Sequence, residues 1–379
     1  MVKRKNTRLK TISTVDRGRS KDITDIQLVC IPSSVQSRSC SIQGLIPVVD
    51  SNNNPLIPCK ISVARRLVSK NLAIPFFKKG FFCIKLRKVV ENIQKKEVVL
   101  SIDPGSKRTG ITISTKDSII LNVQCNTPDW IKKKVEQRRI LRRNRRYRKT
   151  PYRKCRFNRK IGGIPPSTKA RWDCHLRILD TLGKILQINT IVIEDINATT
   201  KKNCRRWNKN FSPLEVGKKY FEQEVEKRNL KLVKFEGFDT KAQRDYRGFT
   251  KNSKKLAETW NTHCVDSHCL AEMHFNLDIE PNKSMYILNF LRFNRRELHQ
   301  GYVKGGIKKE YGSTRSMGLN RGTLIKHKKH GLTYVGGNSK DRISLHNLKT
   351  SDRIARSIKK EDCKILTKQN WRMVISSPA

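Results

Sequence analysis

The sequence predicts an α/β protein built on a mixed sheet, and three observations carry that expectation. Short apolar runs of strand character lie at 98–103, 110–115 and 118–125, joined by turns. A helically spaced stretch over 168–188 runs directly into a second apolar strand, 190–195. Acidic side chains close two of these strands, and a third stands on a later helical stretch, in a chain otherwise dominated by base.

The chain has 379 residues, with 82 Lys and Arg against 32 Asp and Glu, a formal charge of +50. That excess is far beyond what solubility requires, and its field favours a polyanionic partner, of which nucleic acid is the first candidate. An anionic membrane would also attract it, but no run of eighteen apolar residues exists, so a membrane is not an expected partner. A hydrophobic content of 36% lets a chain of this length bury a core in two to four modules. Eleven cysteines form no Cys-x-x-Cys pair and show no metal or disulfide framework, which points to reduced thiols in an intracellular compartment, a bacterial cytoplasm or an organelle.

Taken in order, residues 1–44 are basic and rich in Ser and Thr and read as a flexible tail; Asp16, Asp22 and Asp25 count against a transit peptide. Residues 45–92 alternate apolar runs (Leu45 to Val49, Phe81 to Leu86) with the turn Asn52-Asn-Asn-Pro55 and a helical piece around Ala64 to Val68, a small α/β module. Residues 93–128 carry the three-strand meander. In 129–160, sixteen of the twenty-nine residues from Lys132 to Lys160 are Lys or Arg, a helix-compatible run with no apolar face to pack on a core, ended by Pro151. Residues 161–200 supply the amphipathic helix (Leu176, Leu179, Leu182, Ile185, Leu186) and the strand ending in Glu194. Within 201–280, the stretch Lys254 to Phe275 reads as one helix carrying Trp260, His263, Asp266, Leu270 and Met273 at spacings of three and four. Residues 281–379 turn to Gly-rich, basic hairpins, a β-rich module.

A lone Asp-Pro-Gly at 103–105 is usually a turn, Glu194 competes with its neighbour Asp195, and a helical histidine is more often structural. Strand alternation sends Glu194 and Asp195 to opposite faces. Taken together, however, the meander, helix, strand and later helix follow the order of a ribonuclease H-like nuclease core. In that order Asp103, Glu194 and Asp266 converge. Three close carboxylates repel one another unless a cation joins them, and hard oxygen ligands suit Mg²⁺, with Mn²⁺ able to substitute. A pair of such ions roughly 4 Å apart would activate water and stabilise the leaving oxygen of a phosphodiester, with His263 as base or water-orienting group.

Arg138-Arg-Ile-Leu-Arg-Arg-Asn-Arg-Arg-Tyr-Arg148 is, taken alone, a solvated basic run. Its insertion between the third strand and the first core helix suits a helix that holds nucleic-acid backbones on several faces.

Five stretches in order resemble the transposon-encoded IscB and IsrB proteins. Val48-Val-Asp50 with Pro55-Leu-Ile-Pro58 and Ala64-Arg-Arg-Leu67 resembles their PLMP domain, with Ile57 in place of the name-giving Met. Ile102-Asp-Pro-Gly105 is similar to the first RuvC motif, Arg142-Arg-Asn-Arg-Arg146 to the RRXRR bridge motif, Val192-Ile-Glu194 to the second RuvC motif and His263-Cys-Val-Asp266 to the third; the block from Trp207 to Lys218 also looks like family sequence. IscB carries an HNH nuclease between the last two motifs. Here only 71 residues separate Glu194 from Asp266 and no histidine lies between Glu194 and His263, so HNH is absent and the resemblance is to IsrB. TnpB-type relatives carry zinc-binding cysteine pairs that this chain lacks.

The resemblance implies a RuvC core split into three segments (93–128, 161–200 and the end of 201–280), an Arg-rich bridge helix, a PLMP domain and a C-terminal domain. It further implies a monomer in a ribonucleoprotein complex that uses a long guide RNA (omega RNA) and a short target-adjacent motif to nick the non-target strand of double-stranded DNA with Mg²⁺. The residues expected at nucleic acid are Arg138, Arg139, Arg142, Arg143, Arg145, Arg146, Arg148 and Arg153 of the basic run, with Lys326, Lys328, Lys329, Lys340 and Arg342 of the C-terminal module; most should meet phosphate rather than base edges. Two rival readings share these features in part: an unguided structure-selective RuvC or ribonuclease H-like nuclease, and a catalytically silent RNA-binding scaffold.

Overall fold

Asp50 fixes the first turn of the fold: its carboxylate accepts the backbone N–H groups of Asn52 and Asn54, both at 2.8 Å, and closes Ile46–Val49 (β1) onto Pro55–Cys59 (β2). The computed structural model describes residues 44–94, 96–148, 163–198, 210, 212–291, 315–339 and 341–376. Ile61–Ser69 (α1), Ala73–Lys78 (β3) and Phe81–Leu86 (β4) complete a four-stranded sheet ordered β2-β1-β4-β3. Lys79 and Gly80, at φ 54° and 98°, make the tight turn between its last two strands. Ala64 of α1 packs with Ile46, Val48, Leu56 and Ile84 in a small separate core.

The larger sheet begins with the predicted meander, Val98–Asp103 (β5), Arg108–Thr115 (β6) and Ser118–Asn126 (β7), paired antiparallel in sequence order. Trp130–Tyr147 (α2) follows, then Pro166–Leu182 (α3), which stops at Gly183, short of the expected Ile188. Ile188–Glu194 (β8) returns parallel beside β5, and after Pro213–Glu226 (α4), Lys231–Phe235 (β9) runs parallel beside β8. The chain continues through Gly237–Tyr246 (α5), Trp260–His263 (α6) and Val265–Phe275 (α7) to Met285–Phe290 (β10).

Two boundaries differ from the sequence reading. Met285–Phe290, inside the stretch 281–379 assigned to a C-terminal module, pairs parallel with β7 instead. The last described strand, Trp371–Ser376 (β18), pairs antiparallel with β10, so the seven-stranded order is β18-β10-β7-β6-β5-β8-β9. The second difference is the helix expected over Lys254 to Phe275. It begins only at Trp260, because the carbonyls of Lys255, Leu256 and Ala257 accept from the Arg108 guanidinium at 3.3, 2.5 and 3.1 Å rather than from a following helical turn, and it is interrupted at Cys264. Between β10 and β18 the described residues form a short ladder, Arg315–Ser316 (β11) with Leu319–Asn320 (β12), and a five-stranded sheet. That sheet comprises Leu324–His327 (β13), Gly331–Ser339 (β14), Arg342–His346 (β15), Arg353–Ile358 (β16) and Cys363–Thr367 (β17), ordered β16-β15-β14-β13-β17. No described helix is long and apolar enough to cross a membrane.

The two faces of the large sheet differ in chemistry. Leu100, Ile102, Ile111, Ile113, Ile191 and Ile193 meet Trp172, Leu179 and Leu182 of α3 and Phe221 and Val225 of α4 in the main apolar core. The alternate positions face α7, and many are polar: Thr112 bonds Asn122 at 2.9 Å and Ser267 at 2.8 Å, all buried. Val99, Val192 and Leu270 supply a small apolar patch on that second face.

Trp371 joins these parts. Its side chain is fully buried against Phe290 in the main core, and its indole N–H donates to the Lys79 carbonyl of the four-stranded sheet at 2.9 Å. Trp371→Ala should therefore cost about 3–5 kcal/mol, read as a fall in the denaturant midpoint of the full chain; an unchanged midpoint would mean that β18 does not belong to the core.

Candidate active site

Alternation along two neighbouring strands decides which acids meet. Asp103 shares its face of β5 with Val99 and Ser101, and Glu194 shares its face of β8 with Val192, so both point to the side covered by α7. The parallel register Ile102↔Ile193 sets the two acids side by side at the carboxyl ends of the central strands, where open α/β sheets expose loops and helix starts to ligands. Asp266, in the first turn of α7, reaches the same place because α7 lies across β5, β6 and β8. Asp195 points the other way and pairs with Lys218 of α4 at 2.7 Å, as alternation requires.

Two glycines make the convergence possible. A Cβ on Gly110, the residue paired with Asp103 across the ladder, would stand 1.6 Å from the carbonyl oxygen of His263, so only glycine lets the junction of α6 and α7 approach this closely. A Cβ on Gly237 would stand 2.8 Å from Glu194 Oε1; the glutamate carboxylate is seated against the first turn of α5, where a helix favours negative charge.

The electrostatics are those of crowded acids partly relieved by base. Burial, and then the charges of Glu194 and Asp266, push the Asp103 carboxyl well above its ordinary range, against the opposing pull of Lys251. A hydrogen bond with the Glu194 carboxyl pushes Asp103 in the same direction. Asp266 is buried and doubly paired: Arg244 Nη1 donates to Oδ1 at 2.6 Å, and Lys251 Nζ donates to Oδ2. Burial works against the Lys251 charge, but Asp103 and Asp266 outweigh it and hold the ammonium above its usual value.

Burial, with help from Arg108, lowers His263 to about 4. Its imidazole is neutral at pH 7, and its buried Nε2 has no hydrogen-bond partner. Arg108 fixes the segment that precedes it through the three carbonyls of residues 255–257.

Asp103, Glu194 and Asp266 are the oxygen donors available to a cation here. Among the described residues no three His, Cys, Asp or Glu groups are gathered in coordinating geometry. Arg244 and Lys251 hold one oxygen each of the Asp266 carboxylate. The chemistry of the donors nevertheless fits a hard divalent ion: two carboxyls in contact, that of Asp103 raised in proton affinity, with a third beside them.

The basic residues form a separate surface. In α2 only Trp130, Ile131, Lys134, Gln137 and Leu141 are half-buried, while Arg138, Arg139, Arg142, Arg143, Arg145 and Arg146 are exposed along the helix and Arg148 caps it. Trp130 packs against the main core and anchors one end. Lys326 lies on β13, Lys328 and Lys329 in the turn to β14, and Arg342 opens β15. Arg153, Lys340 and Trp207 lie outside the described residues. Sequence reasoning missed Arg108, Gly110, Gly237, Arg244 and Lys251. Gly110 alone carried a local signal, a glycine inside an apolar strand pattern.

Residues 46–207 match the family described as RRXRR protein. The match takes in Asp103, the arginine-rich helix and Glu194, and ends before His263 and Asp266. No curated protein matches the chain. Among solved structures the chain is similar to T. thermophilus RuvC in complex with Holliday junction substrate, at 12% identity over 47% of this chain and 92% of that one, with a TM-score of 0.26.

The raised Asp103 carboxyl has a consequence for stability. Its folded form binds its proton more tightly than the unfolded chain, whose carboxyl titrates near 3.8, so in the absence of metal stability is lost as pH rises from that value through the folded pKa. Asp103→Asn removes the penalty. In EDTA the variant should melt above the wild type at pH 7–8, and the difference should close as the pH is brought down towards 4; a variant that melts lower at pH 8 would contradict the assignment.

Proposed function

We propose that this chain is an RNA-guided DNA nickase with one Mg²⁺-dependent active site built from Asp103, Glu194 and Asp266. The observation that carries the reading is the convergence of those three acids at the carboxyl ends of β5 and β8. The large sheet contains the order β7-β6-β5-β8-β9, a meander followed by two parallel strands, an order that supports a ribonuclease H-like core. The match to the RRXRR family over the first two acids and the arginine helix supports the same reading.

In this proposal Asp103 and Glu194 hold the divalent ions, which supply charge stabilisation and an activated water when bound. Asp266 completes the donor set from α7. His263, a neutral imidazole on the segment before Asp266, acts in this reading as base or water-orienting group. Among the described residues this is the acid cluster that the reading uses, and one such site suits the cutting of one strand.

The exposed arginines of α2 track nucleic-acid backbones. Their position between β7 and α3 puts them on the same chain segment as the cluster, which suits a guide strand and its heteroduplex gripped beside the cutting site. The four-stranded sheet and the basic five-stranded sheet supply further surface for the RNA scaffold and the target-adjacent motif.

One observation favours the silent-scaffold reading: Asp266 is satisfied by Arg244 and Lys251 without any metal. Purification from cells carrying the native flanking DNA, sequencing of the bound RNA and assay on a matching duplex with Mg²⁺ separates the two. A defined RNA and a nick on one strand establish the nickase; heterogeneous RNA with no cleavage establishes the scaffold.

Two variants sharpen the assignment. Asp103→Ala or Glu194→Gln should abolish nicking while leaving RNA and DNA binding within about twofold, a change worth less than ~0.5 kcal/mol, whereas Asp195→Asn on the opposite face should leave most of the rate. Equal losses at Glu194 and Asp195 in a single-turnover assay would count against the site. Replacing Arg142, Arg143, Arg145 and Arg146 together by Ala should weaken RNA binding and lower the salt slope by about 0.7–0.9 for each phosphate no longer neutralised. An unchanged slope would reduce the helix to a solvated face.

A further inference from the structure

Arg244 and Lys251 both pair with Asp266, yet they are held in very different ways. Arg244 belongs to α5, and its neighbours tie that helix to α7. Gln243 donates to Glu272 Oε2 at 3.1 Å and Arg247 Nε to Glu272 Oε1 at 3.0 Å, and the Glu272 side chain is completely buried. The Arg244 side chain is itself only 16% exposed. Its pairing is therefore a fixed part of the packing.

Lys251 reaches Asp266 from the loop between α5 and α6, with 40% of its side chain open to solvent. That loop is pinned just beyond the lysine, by Asn252 N–H to the Asn261 carbonyl at 3.1 Å and by Arg108 on the carbonyls of residues 255–257. The backbone stays in place while a flexible four-carbon stem leads outward. The ammonium can leave Asp266 without any change of fold, and the guanidinium cannot.

The balance of charge makes departure necessary. Asp103, Glu194 and Asp266 present three carboxyls to two side-chain cations. A divalent ion among them would stand beside the Lys251 ammonium in a poorly solvated site, where like charges a few ångströms apart repel strongly. It would also satisfy the oxygen that Lys251 now holds.

We propose that Lys251 is an exchangeable internal counterion: it occupies Asp266 Oδ2 while the cluster is metal-free and yields that oxygen to the incoming divalent ion, while Arg244 stays and keeps the carboxylate oriented. The inference rests on the metal-dependent reading of the site. It makes Arg244 and Lys251 positioning residues with opposite effects on metal affinity. Removing Lys251 takes away a competitor, whereas removing Arg244 takes away a guide.

The test uses the full chain free of nucleic acid, with Mn²⁺ binding followed by titration calorimetry and thermal unfolding followed in EDTA. Lys251→Gln should bind Mn²⁺ about fivefold more tightly or better, the gain from relieving one like-charge repulsion. It should also melt below the wild type in EDTA and recover that deficit in saturating Mn²⁺. Lys251→Arg, which keeps the charge, should melt near the wild type and gain no affinity, and Lys251→Met provides a second neutral variant should the glutamine not fold. Affinity that is equal to or weaker than wild type in both neutral variants would overturn the proposal. Asp103→Asn separates the failures. If it removes saturable Mn²⁺ binding while the lysine variants behave as wild type, only the counterion role falls; if wild type and Asp103→Asn bind alike, or neither binds, the metal-dependent reading falls and the proposal with it.

Discussion

Mutual repulsion of three neighbouring carboxyls is the constraint around which this protein is arranged. In a chain of +50 charge acids are scarce, and gathering three of them at the end of one parallel strand pair is costly unless each is relieved. Asp103 holds its proton more tightly beside Glu194; Asp266 takes a guanidinium and an ammonium. Each relief demands a piece of architecture. Arg244 requires α5 to lie against α7, Lys251 requires the loop that follows, and the loop requires Arg108 to hold its carbonyls.

The same constraint accounts for the unequal faces of the large sheet. The side facing α3 and α4 is a conventional apolar core. The side facing α7 buries Ser101, Thr112, Asn122 and Ser267, and most of these polar groups find partners within the layer. Such a face packs less apolar area, but it surrounds the acids with dipoles that burial among aliphatic side chains would deny them. Stability is recovered elsewhere, by the main core and by Trp371, which draws the C-terminal strand back to the edge of the sheet and onto the first module.

Much of this was legible in the chain. The meander appeared as three alternating runs, and the face of each acid followed from strand parity, so the separation of Glu194 from Asp195 needed no coordinates. The arginine helix was evident from its lack of an apolar stripe. Less accessible were the edges of the elements. Met285–Phe290 and Trp371–Ser376 are apolar runs like many others, and nothing local reveals that strands some eighty residues apart pair with each other. The late start of the helix at Trp260 was hidden for a related reason: a distant arginine, Arg108, competes for the carbonyls that would have extended it.

The sequence alone determined the mixed α/β class, the order of strands and helices in the core, the faces on which Asp103, Glu194 and Asp195 lie and the polyanion-seeking surface, because periodicity and charge are local properties. Tertiary structure alone decided that Arg244 and Lys251 neutralise Asp266, that Gly110 and Gly237 clear the space for its neighbours, and that the last strand completes the large sheet. Those facts join residues far apart in the chain, and a pairing of that kind is fixed by packing and by the balance of charge rather than by any pattern of neighbours.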